Sequence, residues 1–510
     1  MIPLPRRCLR RSYVRLLAAA GLLVATMTAV AADMPGAITR AGLTAQIDAL
    51  LAQPRFAAAS WGVAVVSLDS GRTLYAHRAD QLLQPASTAK LFTAALSLSA
   101  LGPNYQMPTR LLTSGRITSG RLNGSLILYG MGDPTLGTAT SSDWADQLAS
   151  QVAARGVRFV HGDLIADDSY FAGPAYGSGW EAGDLQSWFA VPSSALSVQE
   201  NIVDVTVSPG AAPGQAARLE FAPADAQPNL IGQLLTSAAR TPSDINLYRA
   251  PGDDTLHAFG NIAADSAAQH FKLAMVDPAL QAGIQLRQAL KRRGIRLTGK
   301  LRVLHWPQDD ATLLADAGTI GEVLSPPLRD ILQRGLKRSQ NLYLQNLLLS
   351  VGAREQTVAT TGFSNTESRG ITALQQLLLQ IGIPPSASLI GEGSGLSRRD
   401  LVTPNALVRL LGYLAAQPYA AMVREALPIA GVDGTLLGHM HGTAAENNVH
   451  AKTGSMDYVH CLAGYVTSAT GERLAFAIML NNYDRPDDAP STGSDVDAVA
   501  VLLANYRGRD

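Results

Sequence analysis

Apolar and polar positions change their spacing several times along this chain. From residue 60, "SWGVAVVSLDSGRTLYAH" places two β-rich runs around Asp69, Ser70 and Gly71, which predicts a hairpin. The next run, "QPASTAKLFTAALSLSALG", sets Leu91, Ala94, Leu98 and Leu101 three and four apart and stops at Gly102, which predicts a helix. Between about 108 and 308 short strands such as "RLNGSLILYG" and "NIVDVTVSPG" alternate with loops rich in Gly, Pro, Ser and Asp. One amphipathic helix, "DPALQAGIQLRQALKRRG", closes that stretch. Helical spacing returns in "SPPLRDILQRGLKRSQNLYLQNLLLSVGA", and the strands "NNVHAKTG", "CLAGYVTS" and "RLAFAIMLNN" follow near the end.

The outer segments resemble each other in texture more than either resembles the middle. We expect one α+β domain in two parts, residues 33–107 and 309–510, whose first and last strands share a sheet. Residues 108–308 are then an inserted, β-rich, multi-domain section. At 510 residues there is room for two to four domains, each with its own core.

Composition narrows the setting. Lys plus Arg and Asp plus Glu balance at 41 each, so no net field selects nucleic acid or an anionic membrane as the main partner. The start, "MIPLPRRCLRRSYVRLLAAAGLLVATMTAVAAD", has a basic segment, an apolar run from Leu16 and small residues suited to cleavage after Ala31 or Ala32. Residues 1–32 therefore read as a secretory signal, by the general or the twin-arginine route, with a retained membrane anchor as the competing reading. An exported, periplasmic protein is expected, in contact with the membrane at most peripherally. Cys8 would leave with the signal, and Cys461, in the strand-like "YVHCLAGYV", reads as core.

The candidate chemistry begins with Ser87 and Lys90. Three residues apart on a helix they share one face, and a serine becomes a nucleophile when a base takes its proton. Lysine can be that base if burial or a nearby positive charge lowers its pKa. By itself Ser-x-x-Lys more often describes a helix cap followed by a solvated charge. The chain, however, has only six lysines, at 90, 272, 291, 300, 337 and 452, in a sequence that otherwise uses arginine. A retained lysine marks a place where a titratable amine is needed. Lys452 opens "KTGS", and "KRSQN" supplies Ser339 and Asn341 between two helical segments.

Ser-x-x-Lys, Ser-x-Asn and Lys-Thr-Gly in this order are the motifs of the penicillin-recognising serine enzymes. The chain further resembles the penicillin-binding D-alanyl-D-alanine carboxypeptidases and endopeptidases of low-molecular-mass class C, peptidase family S13. The resemblance runs through "GDPTL" at 132, "VPSSALSVQEN" at 191, "GSGLSRRDLVTP" at 393, "LPIAGVDGTL" at 427 and "AKTGSMDYVHCLAGYV" at 451. It implies a transpeptidase-like domain, an antiparallel sheet flanked by helices, split by an insertion between the first and second motifs. It also implies Ser87 as nucleophile, Lys90 as general base, Ser339 and Asn341 as relay and amide-binding groups, and Lys452 keeping that region positive. Thr453 with Ser455 would hold the substrate's C-terminal carboxylate, the backbone N–H groups of Ser87 and Ser455 would surround the carbonyl oxygen, and Gly454 between them is an implied substrate-binding residue.

Trp180, Asp184 and Trp188 in "GWEAGDLQSWFAVP", with Met456 and Arg398, are implied pocket residues for a diaminopimelate side chain, and core packing is the other reading of the tryptophans. Gly183 stands where many relatives have a second acid, and Gln340 where the family usually has Asp, from which we expect a retuned rate or stability. The implied partners are peptidoglycan stem peptides and cross-links, with β-lactams as covalent inhibitors. No cofactor is required.

Other motifs are weaker. "GIRLTGKL" nearly spells a phosphate loop, but it has Leu301 where a hydroxyl is needed and runs from helix to strand, so it reads as a turn. His439, His441, His450 and His460 cluster in sequence without His-Glu-x-x-His, and no metal is expected. A β-lactamase shares the first and third motifs without so long an insertion, and a non-catalytic peptidoglycan-binding protein would keep the fold without the lysines.

Overall fold

The computed structural model describes residues 39–308, 311–355, 363–484 and 492–508. The expected signal segment, Cys8 included, lies outside the described residues. Helix α1 (Arg40–Leu51) precedes strands β1 (Ser60–Ser67) and β2 (Thr73–His77), which pair antiparallel as the hairpin expected around Asp69–Gly71. A 3-10 turn, Ala86–Ala89, runs directly into α2 (Lys90–Leu101), which ends at Gly102 with φ +79°. That left-handed conformation suits glycine, which has no Cβ to clash. Later come α3 (Leu328–Lys337), α4 (Asn341–Arg354) and α5 (Pro404–Ala415), then β3 (His450–Met456), β4 (Val459–Thr467), β5 (Arg473–Asn481) and α6 (Thr492–Ala504).

The five strands form one sheet in the order β2-β1-β5-β4-β3, antiparallel throughout. The first and last parts of the chain thus share a sheet, and β3 forms one of its edges. Strand β5 shows why helices cover both faces: seven of its nine residues are apolar, and alternate ones point opposite ways. Phe476, Ile478 and Leu480 join Leu43 and Ile47 of α1 and Val499 and Leu503 of α6 in one apolar cluster. Ala475, Ala477 and Met479 join Phe92 of α2 and Leu407 and Leu411 of α5 in another. The bulky face meets the terminal helices, and the alanine face leaves room for the helices that carry the candidate chemistry.

A second, mixed five-stranded sheet runs in the order Leu301–Leu304, Leu164–Asp167, Leu126–Tyr129, Pro108–Thr113 and Gly318–Leu324. Helix Pro278–Arg292, expected from its periodicity, shares an apolar cluster with residues of this sheet. So does Trp144–Ala154, a helix not anticipated from sequence; its signal was the spacing of Trp144, Leu148 and Val152. "GIRLTGKL" makes short strands Arg296–Leu297 and Leu301–Leu304 joined by a turn, where the Lys300 N–H donates to Asp163 Oδ1 at 2.9 Å. Among the described residues no helix is long and apolar enough to cross a membrane.

Because Phe476 is fully buried mid-sheet, Phe476→Ala removes its packing on α1 and α6. A loss of about 3–5 kcal/mol is expected in equilibrium denaturant unfolding; a loss below about 1 kcal/mol would contradict this packing.

Candidate active site

Ser87 lies not on a regular α-helix but on the 3-10 turn that leads into α2. With three residues per turn, side chains at i and i+3 eclipse, which sets Lys90 directly beside Ser87. The preceding Ala86 has φ +45°, a left-handed kink that starts the turn. Lys90 is 0% exposed. Its Nζ donates to Ser87 Oγ at 2.8 Å, Asn341 Oδ1 at 2.5 Å and the Ser394 carbonyl at 2.6 Å. Burial pulls Lys90 down to about 7, against the opposing pull of the Glu392 carboxylate. A neutral amine has two hydrogens and one lone pair. Asn341 and Ser394 fix where the two hydrogens go, so the lone pair is left facing Ser87.

Ser339 and Asn341 straddle the start of α4. Ser339 has φ +56° in the short link from α3, and Asn341 is the first residue of α4. Asn341 Nδ2 donates to the Phe189 carbonyl at 2.7 Å while its Oδ1 takes Lys90, so the amide cannot rotate freely. Lys452 is also 0% exposed; it donates to Ser339 Oγ at 2.9 Å and to the Thr453 carbonyl at 2.8 Å. Burial first, and then the charge of Lys90, hold Lys452 well below its ordinary value. Of the five principal candidates, Ser87, Lys90 and Asn341 form one hydrogen-bonded chain and Ser339 with Lys452 a second, within electrostatic reach of the first.

The edge strand β3 passes close to the serine turn. A Cβ on Gly454 would stand 2.5 Å from the Pro85 carbonyl and 3.2 Å from Ser87 N, so only glycine permits this approach. Thr453 Oγ1 is 2.7 Å from Thr435 Oγ1, and Ser455 is exposed at the surface of the strand. Met456 is half-buried against the main apolar cluster.

Of the remaining expected pocket residues, Asp184 lies within electrostatic reach of Arg398. Its guanidinium lies 3.4 Å from Glu181 Oε1 and 3.4 Å from Asp457 Oδ2. Burial raises Asp184, and the neighbouring charges of Glu181 and Asp457 add to that while Arg398 opposes it. Nothing lies within 4 Å of a Cβ on Gly183, and the second acid of this cluster comes from Glu181 instead. Trp180 packs on Tyr176 with ring centroids 6.3 Å apart, whereas Trp188 is 41% exposed and meets Phe189 edge-on.

Several contributors were not visible in the sequence. The carbonyls of Ser394 and Phe189 are main-chain acceptors, which no residue type announces. Glu392, 0% exposed, accepts the Ser394 N–H at 2.7 Å and so shapes the loop that holds Lys90. Burial first, and then the charge of Glu392, push its neighbour Asp400 upward. The clustered histidines take separate partners: His439 meets Asp497, His441 meets Glu446, and His450 meets the Arg424 carbonyl. Among the described residues no group of three or more His, Cys, Asp or Glu is placed to hold a metal. Cys461 is core, opposite Gly454 in the β3/β4 ladder, and burial raises its thiol.

An antiparallel sheet flanked by helices, with a half-buried serine and a buried lysine beside its edge strand, defines the fold class of the penicillin-recognising serine enzymes. The model of the D-Ala-D-Ala carboxypeptidase 3 (S13) family matches residues 43–506, and the chain belongs to that family. It is 35% identical over 479 residues to a D-alanyl-D-alanine carboxypeptidase of Actinomadura sp., covering 91% of this chain and 85% of the relative. With the D-alanyl-D-alanine carboxypeptidase DacB of Haemophilus influenzae it shares 28% identity over 84% of this chain and 86% of the relative. The crystal structure of penicillin binding protein 4 (dacB) from Haemophilus influenzae superposes with a TM-score of 0.77 at 27% identity, covering 90% of this chain and 99% of that one. The chain is thus a serine-type hydrolase of the D-Ala-D-Ala carboxypeptidase class, which sets aside the β-lactamase and non-catalytic readings.

Gly454→Ala forces β3 away from backbone atoms that cannot yield. It is expected to cost about 1–3 kcal/mol in denaturant unfolding, and an unchanged midpoint would contradict the close approach.

Proposed function

We propose that this exported, periplasmic enzyme removes the terminal D-alanine from peptidoglycan stem peptides through an acyl-enzyme on Ser87, and that it also cuts D-alanyl-diaminopimelate cross-links. The observation that carries the reading is Lys90, wholly buried, lowered to about 7 and 2.8 Å from Ser87 Oγ. In the neutral form its lone pair accepts the hydroxyl proton as Oγ attacks the carbonyl carbon of the D-Ala-D-Ala bond. The new C–O ester bond forms, the C–N bond breaks, and the proton passes to the leaving amine with Ser339 in the relay. Water then hydrolyses the ester and restores Ser87.

The other groups follow from where charge appears. The backbone N–H groups of Ser87 and Ser455 receive the developing oxyanion, an arrangement worth a few kcal/mol. Lys452, Thr453 and Ser455 attract the C-terminal carboxylate. Asn341 retains one hydrogen on Nδ2 and one lone pair on Oδ1 for the substrate amide. The acidic cluster of Glu181, Asp184 and Asp457 beside Trp180 suits the free amine of a diaminopimelate side chain, which supports the endopeptidase side. β-Lactams react as covalent inhibitors at Ser87; a solved structure of the Haemophilus influenzae relative is complexed with a novel β-lactam, at 26% identity and a TM-score of 0.71. Export rests on the basic and apolar leader pattern of residues 1–32.

After exposure to penicillin, mass spectrometry is expected to find the added mass on the peptide containing Ser87. Ser87→Ala should lose both the adduct and D-alanine release, by roughly 10³-fold or more. An undiminished release in that variant would end the proposal, and parallel incubation with cross-linked and uncross-linked muropeptides separates the two activities.

The pH dependence has a defined sign. Lys90 is the base only when neutral, so kcat/KM should rise as pH increases through about 7 and level off above it. A rate that is flat or falling from pH 6 to 8, measured by stopped-flow acylation, would remove Lys90 from that role.

A further inference from the structure

The link that carries Ser339 and Asn341 is held by a carboxylate from the middle of the chain. Glu200 is 7% exposed and lies in a segment where Gln199, Glu200 and Asn201 all have positive φ, at 53°, 57° and 55°. Three successive left-handed residues are held by their own bonds. Gln199 N donates to the Leu136 carbonyl at 2.7 Å, and Asn201 Nδ2 donates to the Pro192 carbonyl at 2.8 Å. The result presents the Glu200 side chain to the link between α3 and α4.

Four residues of that region converge on it. Glu200 Oε1 accepts from Arg334 at 2.7 Å, Arg338 at 2.8 Å and the Tyr343 hydroxyl at 3.0 Å. Oε2 accepts from Arg338 at 3.2 Å and from Gln340 Nε2 at 3.1 Å. Arg334 belongs to α3 and Tyr343 to α4, so one carboxylate ties both helices and the link between them. Gln340 is 2% exposed and stands between Ser339 and Asn341 with its side chain turned toward Glu200. An ionised carboxylate only accepts hydrogen bonds, so residue 340 has to donate. A carboxylate at 340 would instead face a second carboxylate at hydrogen-bond distance in a buried site.

We infer that Glu200 is a positioning residue for the reaction, acting through Gln340 to fix Ser339 and Asn341, and that the carboxamide at 340 is matched to it as donor to acceptor. The inference rests on the functional reading above. Among the described residues the hydrogen bonds of Glu200 go to Arg334, Arg338, Gln340 and Tyr343 and not to Ser87 or Lys90; it acts by fixing the backbone from which the relay serine and the amide side chain project.

The test exchanges the two groups in the full exported chain: Gln340→Glu, Glu200→Gln, and both together. Acylation of Ser87 is followed with a fluorescent penicillin, and amide hydrogen exchange is followed over residues 338–341. Q340E is expected to acylate at least tenfold more slowly than the parent and to exchange faster in that link. The double variant, in which donor and acceptor have swapped sides, should return to within threefold of the parent rate and regain protection. Rescue of this kind is not expected from loss of packing alone. Q340E acylating within twofold of the parent, or a double variant as slow as Q340E, would overturn the inference. If Q340E alone does not fold, a folded double variant acylating near the parent rate supports it and an inactive one refutes it. If the parent itself is not acylated, the functional reading fails, and hydrogen exchange alone still decides whether Glu200 orders the link.

Discussion

Taking Lys90 wholly out of water is the constraint on which the site depends. An isolated ammonium in a packed interior is strongly disfavoured, so burial lowers its pKa and makes the neutral amine accessible near neutral pH. The oxygens that receive its hydrogens come from Asn341 and Ser394, 251 and 304 residues further along the chain. No local segment can therefore build the site. The long-range sheet, with β1 beside β5, has to form before the amine is enclosed. A second lysine is enclosed beside it: burial first, and then the charge of Lys90, hold Lys452 well below its ordinary value.

The same sheet explains how closely the parts approach. On β5 the small side chains of Ala475 and Ala477 face the helices that present Lys90, while Phe476 and Ile478 fill the opposite side. At the edge, Gly454 brings β3 to the backbone of the serine turn with no Cβ between them. Small residues on one face and at one edge thus convert an ordinary packed sheet into a rigid wall of the site. Cys461, opposite Gly454, completes that wall as a buried apolar residue, with its Sγ 3.4 Å from the Gln84 carbonyl.

Much of this was legible in the sequence because it was written in side-chain types at fixed spacing. The hairpin around Asp69–Gly71, the helix ended by Gly102, the three late strands and the five residues Ser87, Lys90, Ser339, Asn341 and Lys452 all have that character. What was not legible depends on backbone or on distant partners. The Ser394 and Phe189 carbonyls have no residue signature, and the left-handed run at Gln199–Asn201 contains no glycine to announce it. The helix Trp144–Ala154 was hidden because most of its apolar residues are alanines, which mark a face only weakly. Glu181 has no sequence signal that separates it from Asp184 three residues later; its pairing with the distant Arg398 is what adds it to the cluster.

The middle of the chain does more than stand beside the site. Phe189 supplies the carbonyl that fixes Asn341, Glu181 pairs with Arg398 at the mouth, and Glu200 gathers Arg334, Arg338, Gln340 and Tyr343. The Phe189 and Glu200 contacts are made where water is excluded or reduced, so both strongly depend on geometry. Burial by itself would favour a protonated Glu200, yet Arg338 and Arg334 hold its carboxyl below the ordinary range, so it stays an acceptor. A carboxylate held toward its ionised form favours a donor at residue 340. The departure from the usual acid of the Ser-x-Asn motif then has a physical origin in a residue 140 positions away, rather than in the chemistry at Ser87.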